Sequence, residues 1–268
     1  MKLSVLQMTS GPDVAANLDV ADELLRQAAD EGARLAVLPE NFAFMGLKDI
    51  DKLAVGEVPG SGPIQDRLGE LSSRLKLWIV AGTMPLKVPG SARVAAASLV
   101  YDAEGGQQAR YDKIHLFDVD LPERNEVYRE SANMQPGRQP VVIDTPLGRV
   151  GLSVCYDMRF PELYRTLAAE GAQILVMPSA FTVPTGQAHW EVLLRARAVE
   201  NLCYVAAAAQ WGRHPNGRET YGDALVADFW GRVLARRPDG VGVATAEIDL
   251  AAQAAVRASF PALRHRVL

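Results

Sequence analysis

Three side chains suited to chemistry at a carbonyl carbon each follow a predicted strand of this 268-residue chain: Glu40, Lys113 and Cys155. A thiol that attacks a carbonyl needs a base, the oxyanion it forms needs a cation, and a leaving amine needs a proton. A carboxylate, an ammonium group and a thiol meet these needs together. The set indicates nucleophilic catalysis, although each residue alone is at least as consistent with a surface charge or a core thiol.

The segment around Cys155, residues 149–162, reads RVGLSVCYDMRFPE. An apolar run predicts a strand that stops at Cys155, and the charged residues after it are suited to begin a helix. The N–H groups and dipole of a helix N-terminus favour a thiolate and an oxyanion formed beside it. We therefore treat Cys155 as a candidate nucleophile, with core packing as the alternative.

Two rival kinds of chemistry have weaker support. His115 lies in the same long connection as Lys113, but no sequence signature pairs it with Cys155 as a Cys/His protease would require. No two histidines or cysteines have the spacing of metal ligands. We therefore expect no metal and no cofactor.

The composition predicts an ordinary globular protein, with 49% hydrophobic and 22% charged residues. A net charge of −4 argues against nucleic acid or an anionic membrane as the main partner. The two cysteines, Cys155 and Cys203, fit a reducing compartment, and the N-terminal apolar run is too short for a signal peptide. No segment approaches the ~20 apolar residues of a membrane span. We expect a cytoplasmic protein.

Strands and helices alternate along the chain, which predicts an α/β fold. The connection 113–140 is too rich in aromatic and charged residues for a linker, and long loops of this kind are often functional. The predicted strands are 3–7, 34–38, 77–81, 94–101, 109–111, 150–154, 174–177, 203–209 and 221–228, and the predicted helices are 13–30, 62–76, 161–170 and 188–201.

The element order repeats in the two halves of the chain. EGARLAVLPE at 31–40 aligns without gaps on EGAQILVMPS at 170–179, and each has a helix end, a glycine, a buried strand and a proline. We expect two pseudo-symmetric halves whose sheets pack together as a four-layer α-β-β-α sandwich. Ligands of α/β sheets bind outside the carboxyl ends of strands, so Glu40, Lys113 and Cys155 are predicted to meet in one pocket.

Three motifs carry a resemblance to a known family: LPEN around Glu40, YDKIHLFD around Lys113 and GLSVCYDMRFPE around Cys155. They resemble the Glu–Lys–Cys motifs of the nitrilase superfamily of carbon–nitrogen hydrolases, in the same order and across essentially the whole chain. The segments 178–214 and 221–231 resemble the deaminated glutathione amidases most closely. The ω-amidases share the HWE helix, but 206–214 is less like theirs.

The resemblance implies a role for each motif residue. Cys155 is the nucleophile, Glu40 the general base and Lys113 the oxyanion partner, together with the backbone N–H of Tyr156. Glu130 in YRES matches a second glutamate that orients the lysine and substrate.

Arg159, four residues after Cys155, matches an arginine that faces a substrate carboxylate, and a guanidinium can bind a carboxylate with two hydrogen bonds. The alternatives for Arg159 are a surface charge or a salt bridge to Asp157 or Glu162.

The implied activity is hydrolysis of a 2-oxo-dicarboxylic amide through an acyl-thioester, with deaminated glutathione giving 2-oxoglutarate and Cys-Gly. An ω-amidase that acts on 2-oxoglutaramate or 2-oxosuccinamate, a nitrilase, a carbamoylase, and a catalytically silent interaction protein on the same fold are the alternatives.

The resemblance also implies that the chain 1–268 is one domain. It implies a homodimer, with helix 188–201 near the interface and the tail 250–268 contributing to it. From the residues themselves, Cys203 is expected to be inert core. The cluster of Arg257, Arg264, His265 and Arg266 is expected to be a solvated face.

Overall fold

The computed structural model describes residues 1–121 and 126–267. Its helices are α1 (Val14–Asp30), α2 (Pro63–Leu75), α3 (Pro161–Ala169), α4 (Val183–Asn201) and α5 (Leu250–Ser259). Its strands are β1 (Lys2–Met8), β2 (Ala33–Val37), β3 (Trp78–Val80), β4 (Met84–Lys87), β5 (Val94–Tyr101), β6 (Gln107–Asp112), β7 (Asp118–Leu121), β8 (Glu126–Arg129), β9 (Val142–Thr145), β10 (Gly148–Leu152), β11 (Ile174–Val176), β12 (Tyr204–Ala207), β13 (Ala209–Arg213), β14 (Glu219–Tyr221), β15 (Ala224–Ala227), β16 (Val233–Arg237) and β17 (Gly242–Glu247).

The strands form two large sheets with the same central pattern. The first runs β14-β13-β1-β2-β3-β5-β4, with β17 paired to β1 and β6 paired to β5. The second runs β16-β15-β12-β11-β10-β9. In each sheet three parallel strands (β1-β2-β3 and β10-β11-β12) are followed by an antiparallel neighbour. This correspondence fits the predicted two-halved architecture.

Alternating apolar residues on the strands produce the layers. On β1, Leu3 and Val5 belong to the cluster that includes Val150 and Leu152 of the second sheet, so this core lies between the sheets. Leu6 of β1 instead packs in a second cluster with residues of α1 and α2. The apolar faces of α3 and α4 join the first cluster from the other side of the second sheet. The predicted α-β-β-α sandwich is confirmed.

The aligned repeat has the same local structure in both halves. Gly32 follows α1 with φ +85°, and Gly171 follows α3 with φ +89°, a left-handed conformation that glycine adopts without steric strain. Each glycine turns the chain from a helix into a central strand, β2 or β11. The repeat therefore places Glu40 and Ser179 at matching ends of the two sheets.

Several predicted boundaries differ from the structure. The connection 113–140 is more regular than expected, because it contains the β7–β8 hairpin. Helix α4 begins at Val183 rather than 188, with a proline in its first turn. The predicted strand 221–228 is interrupted at Gly222 and Asp223, whose φ angles are positive, so β14 and β15 join different sheets.

The arginine cluster near the C-terminus is not uniformly solvated, and this prediction was wrong for Arg257. Its guanidinium donates to the carbonyl oxygens of Leu202 and Ala172 and to the sulfur of Cys203. Arg257 thereby ties α5 to the second sheet. Within the described residues no helix combines the length and apolar character needed to cross a membrane.

Candidate active site

Glu40, Lys113 and Cys155 line one cleft of about 650 Å³, where chain segments leave the carboxyl ends of strands in both sheets. Glu40 lies three residues after β2, Lys113 directly follows β6, and Cys155 lies three residues after β10. Glu40 and Cys155 are 115 residues apart in sequence, and the packing of the two sheets brings them together. Glu130 and Arg159 line the same cleft.

Cys155 has an unusual backbone conformation. Its backbone φ is +48°, a value that residues other than glycine rarely adopt. Its N–H donates to the Pro178 carbonyl at 2.9 Å. The residue opens a short 3-10 helix, Cys155–Arg159, and the α-helix α3 begins only at Pro161. The helix predicted at 161–170 is therefore preceded by a separate 3-10 turn that begins at Cys155 itself. Such strain persists where the surroundings fix it, and it is common at active sites.

Asp157 fixes this turn against the neighbouring sheet. Its fully buried carboxylate accepts hydrogen bonds from the Val154 N–H at 2.8 Å and the Tyr111 hydroxyl at 2.7 Å. Its other oxygen accepts from the His115 N–H at 3.0 Å and contacts His115 Nδ1 at 2.7 Å. Tyr111 and His115 flank Lys113 in sequence. One carboxylate therefore sets the position of Cys155 relative to Lys113.

Lys113 is buried between two carboxylates. Its Nζ lies 2.8 Å from Glu40 Oε1 and 3.0 and 2.8 Å from the two oxygens of Glu130. Glu130 is itself held by the Phe117 N–H, which donates to Oε2 at 2.7 Å. The ammonium group is thus fixed in place, and so is the Glu40 carboxylate beside it.

Close backbone contacts hold the segments that carry Glu40 and Lys113. A Cβ atom on Gly82 would lie 1.9 Å from the Pro39 carbonyl oxygen, and one on Gly137 would lie 2.0 Å from that of Asp112. Only glycine permits these approaches. The carbonyl of Glu40 also accepts from Gln210 Nε2 at 3.0 Å. Glu40 is therefore positioned by its backbone as well as by Lys113.

Burial, more than any charge in the cleft, keeps the resting thiol protonated. Burial and then the Glu40 carboxylate raise the pKa of Cys155, and Lys113 only partly opposes them. The stabilisation of a thiolate expected from nearby N–H groups and the ammonium group is therefore outweighed in the resting protein. Burial disfavours the charge of Lys113, but Glu130 and Glu40 outweigh it and hold its pKa well above the ordinary value. Burial also opposes the charge of Glu130, yet Lys113 lowers the pKa of that carboxyl.

Two backbone N–H groups lie next to Cys155. The Ala180 backbone lowers the pKa of the Cys155 thiol, whereas the Glu40 side chain beside it raises that pKa. The N–H groups of Cys155 and Asp157 donate to the carbonyls of Pro178 and Val154, whereas no backbone carbonyl in the described parts of the chain accepts from the Tyr156 N–H. The Tyr156 N–H is thus available to a bound oxygen atom.

Arg159 faces the cleft and has no carboxylate partner among the side chains that the structure describes. The alternative of a salt bridge to Asp157 or Glu162 is therefore wrong. Its guanidinium carbon lies 5.8 Å from the Tyr156 ring centre and 5.6 Å from that of Phe181, and Nη2 lies 3.3 Å from His189 Nδ1. An arginine held by aromatic rings and free of carboxylates is suited to bind an anion.

The rival chemistries do not match the cleft. His115 is bonded to Asp157 and stacks on Phe160 at 3.7 Å, and no histidine is among the cleft-lining residues that the structure describes. In the same described ranges, no group of three or more His, Cys, Asp or Glu side chains could hold a metal ion.

Sequence reasoning missed several residues of the site. Asp157 was considered only as a partner for Arg159, and Phe117 only as one of the aromatic residues of the long connection. Tyr111 and Arg218 were not considered as residues of the site. Aromatic and charged residues in the long connection were the available signal for Phe117. Nothing local marks Asp157 or Arg218, because their roles depend on contacts with distant segments.

Comparisons with known proteins establish the family of the chain. The family model described as carbon-nitrogen hydrolase matches residues 2–258. The chain belongs to this family. A deaminated glutathione amidase from Synechocystis is 45% identical over 267 residues, which cover 98% of this chain and 97% of the relative. The human deaminated glutathione amidase is 40% identical, with 98% of this chain and 81% of the relative covered.

Solved structures of relatives share the fold of this carbon–nitrogen hydrolase. The nitrilase and fragile histidine triad fusion protein of Caenorhabditis elegans superposes with a TM-score of 0.91 at 39% identity, over 99% of this chain and 65% of the worm protein. An amidase from Nesterenkonia, solved with acrylamide added to its active-site cysteine, has a TM-score of 0.80 at 28% identity over 97% of this chain and 98% of that one.

Proposed function

We propose that this carbon–nitrogen hydrolase is a thiol amidase that cleaves deaminated glutathione into 2-oxoglutarate and Cys-Gly. The observation that carries the proposal is the buried contact of Lys113 with Glu40 and Glu130 beside the strained Cys155. The relatives named deaminated glutathione amidase support the choice of substrate.

The proposed reaction begins with Glu40 as the base. Because the resting thiol is protonated, Glu40 must take the Cys155 proton as the sulfur attacks the amide carbonyl. Lys113 and the Tyr156 N–H then stabilise the negative oxygen of the tetrahedral intermediate. The fixed position of Lys113 favours this step, because its donors need little reorganisation.

Glu40 next passes the proton to the leaving amine, and the C–N bond breaks to give an acyl-thioester on Cys155. A water molecule, deprotonated by Glu40, attacks the thioester carbonyl. Collapse of the second tetrahedral intermediate releases the acid and restores the thiol. Glu130 holds the Lys113 ammonium in place through both steps.

Arg159 is proposed to bind the 2-oxo carboxylate of the acyl group. The acyl groups of deaminated glutathione and 2-oxoglutaramate are the same. Binding of that group by Arg159 therefore does not determine whether the enzyme acts as a deaminated glutathione amidase or as an ω-amidase. That distinction depends on the leaving-group side of the cleft.

A substrate panel tests the proposal. Turnover of deaminated glutathione, 2-oxoglutaramate, a simple nitrile and an N-carbamoyl amino acid is compared for the purified enzyme and its Cys155→Ala variant. We expect deaminated glutathione to have the highest kcat/KM, with activity lost in the variant. A higher kcat/KM for any other member would reassign the substrate, and no turnover of any member would favour a silent protein.

A homodimer is part of the proposal. Val199 on α4, Trp230 and Phe260 are half exposed, and the rings of Trp230 and Phe260 pack 5.8 Å apart on the same face. Exposed apolar groups of this kind are suited to an interface that includes α4 and the tail 250–268. Sedimentation should show a dimer for the wild type and a monomer for Trp230→Asp. A monomeric wild type would contradict the proposed homodimer.

The proposal places the enzyme in the cytoplasm, where two free cysteines, Cys155 and Cys203, stay reduced. Fractionation of cells that express the tagged protein tests this location.

A further inference from the structure

Five cations line the described part of the cleft, and three of them already have carboxylate partners. Lys113 is paired with Glu40 and Glu130, Lys52 lies 3.9 Å from Asp49, and Arg129 is paired with Asp120 at 2.6 Å. Arg159 and Arg218 have none among the described residues. Two guanidinium groups that lack a carboxylate partner in the described part of one cleft indicate a ligand that carries two anionic groups.

Arg218 is held in place, yet one of its donors is unused. Its Nη2 donates to the Ala180 carbonyl at 2.8 Å, and its guanidinium carbon lies 5.4 Å from the centre of the Tyr128 ring. The Nε atom is buried and has no hydrogen-bond partner in the described ranges. A buried N–H without an acceptor destabilises the free protein. A bound oxygen atom would supply the missing acceptor.

The two arginines lie at opposite ends of a row of aromatic rings. Arg159 lies against Tyr156, the Tyr156 ring is 5.1 Å from Phe117, the Phe117 ring is 5.0 Å from Tyr128, and Arg218 lies against Tyr128. A ligand that spans this row would place one anionic group near each arginine, in the cleft that Cys155 also lines.

Arg218 lies on the side where the amine leaves. It lines a side groove together with Asn41, which directly follows Glu40, and Arg159 does not line this groove. Glu40 must protonate the departing nitrogen in the proposed reaction, so the leaving group lies toward the Glu40 side. The carboxylate of the acyl group then lies away from this groove, where Arg159 can bind it.

The loop that carries Arg218 is rigidly attached. The His214 ring contacts the Ser10 carbonyl at 2.9 Å and the Thr220 hydroxyl at 2.7 Å, and the His214 N–H donates to the Arg218 carbonyl at 2.8 Å. A preorganised cation binds an anion with less loss of conformational entropy than a mobile one.

We propose that Arg218 binds a carboxylate on the leaving group, and that this contact makes the enzyme prefer peptide-like amides with a terminal carboxylate to uncharged amides of the same acyl group. The assignment rests on the proposed function. In deaminated glutathione the recognised group is the carboxylate of the Cys-Gly portion. 2-Oxoglutaramate, which releases ammonia, has no such group.

The test compares deaminated glutathione with its C-terminal carboxamide, which differs only by the loss of that charge. Initial rates are measured for the wild type, Arg218→Gln, Arg218→Lys and the control Arg213→Gln, an exposed arginine on β13 of the same hairpin. We expect Arg218→Gln to lower kcat/KM for the acid by about 10- to 100-fold, mainly through KM. The carboxamide should change by less than about threefold, and Arg218→Lys should retain part of the preference.

Equal losses on both substrates would show that Arg218 acts only through the Ala180 carbonyl, and an unchanged preference would show that it does not meet the carboxylate. Either result overturns the assignment while leaving the proposed function intact. A wild type that hydrolyses neither compound but does hydrolyse 2-oxoglutaramate would overturn both.

Discussion

The two cysteines of this chain have similar surroundings in several respects. Cys155 and Cys203 are both buried next to a central strand of the second sheet, and each has a cation nearby, Lys113 or Arg257. Burial raises the pKa of both thiols, that of Cys203 to about 12. Neither thiol is therefore activated by a low pKa in the resting protein.

The difference lies in what else each sulfur meets. Cys155 faces a cleft and contacts the Glu40 carboxylate. Cys203 is fully buried, and its sulfur contacts the carbonyl oxygens of Ala172 and Asn201. A base and access to substrate, rather than the cation, separate a nucleophile from a core thiol here.

Replacing each cysteine gives the largest contrast. Cys155→Ala should reduce kcat by at least about 10⁴-fold, because no other group can form the thioester. Cys203→Ala should change kcat by less than about threefold while lowering the free energy of unfolding, because it leaves a small cavity and removes one of the acceptors of Arg257. Steady-state kinetics and urea denaturation measure both effects. Comparable losses of activity in the two variants would show that Cys155 is not functionally different from Cys203.

Replacing Glu40 should lower turnover of substrate without lowering the rate at which the Cys155 thiol is alkylated. Glu40→Gln should lower kcat by about 10³-fold, within the range for loss of a general base. The same change removes a negative charge beside Cys155, so its pKa should fall and iodoacetamide should alkylate it at least as fast as in the wild type. Glu162→Gln, at an exposed position in the first turn of α3, serves as the control. A variant with full turnover would show that Glu40 is not the base.

The pH dependence of alkylation tests the state of the resting thiol. A raised pKa means that the thiol stays protonated at neutral pH, so the thiolate fraction increases about tenfold for each pH unit below that pKa. Iodoacetamide labelling of Cys155 in the free enzyme should therefore rise about 100-fold from pH 7 to pH 9. A plateau below pH 8 would instead indicate a preformed thiolate.

The smallest effect is expected from the residue that positions the site. Asp157→Asn replaces an acceptor of several donors by a group that itself donates, so we expect about a 1–3 kcal/mol lower free energy of unfolding. Turnover should fall about tenfold through kcat, with KM little changed, because Cys155 and Lys113 lose their fixed separation. Chemical denaturation and steady-state kinetics check the two expectations. A variant with wild-type stability and turnover would show that this carboxylate does not position the site.

Much of this arrangement follows from local sequence signals. The repeat at 31–40 and 170–179 predicted the two halves, and Glu40, Lys113 and Cys155 stood out because each follows a predicted strand. The start of α4 could also have been predicted from the sequence, because Pro184 lies in its first turn, where proline is favoured.

Other features depend on contacts that no local pattern encodes. Asp157 resembles a surface acid within a charged segment, and its burial arises from Tyr111, 46 residues earlier. The expected effect of Lys113 on the thiol had the correct sign, but burial and Glu40 outweigh it. That balance is set by the packing of the two sheets.

The most direct test is to stop the reaction with acid during turnover and analyse the peptides by mass spectrometry. With deaminated glutathione as substrate, the account predicts a 2-oxoglutaryl thioester on the peptide that contains Cys155 and an unmodified Cys203 peptide. The adduct should accumulate when hydrolysis is slowed and should be absent in Cys155→Ala. Turnover without any acylated cysteine, or an adduct on Cys203, would contradict the account.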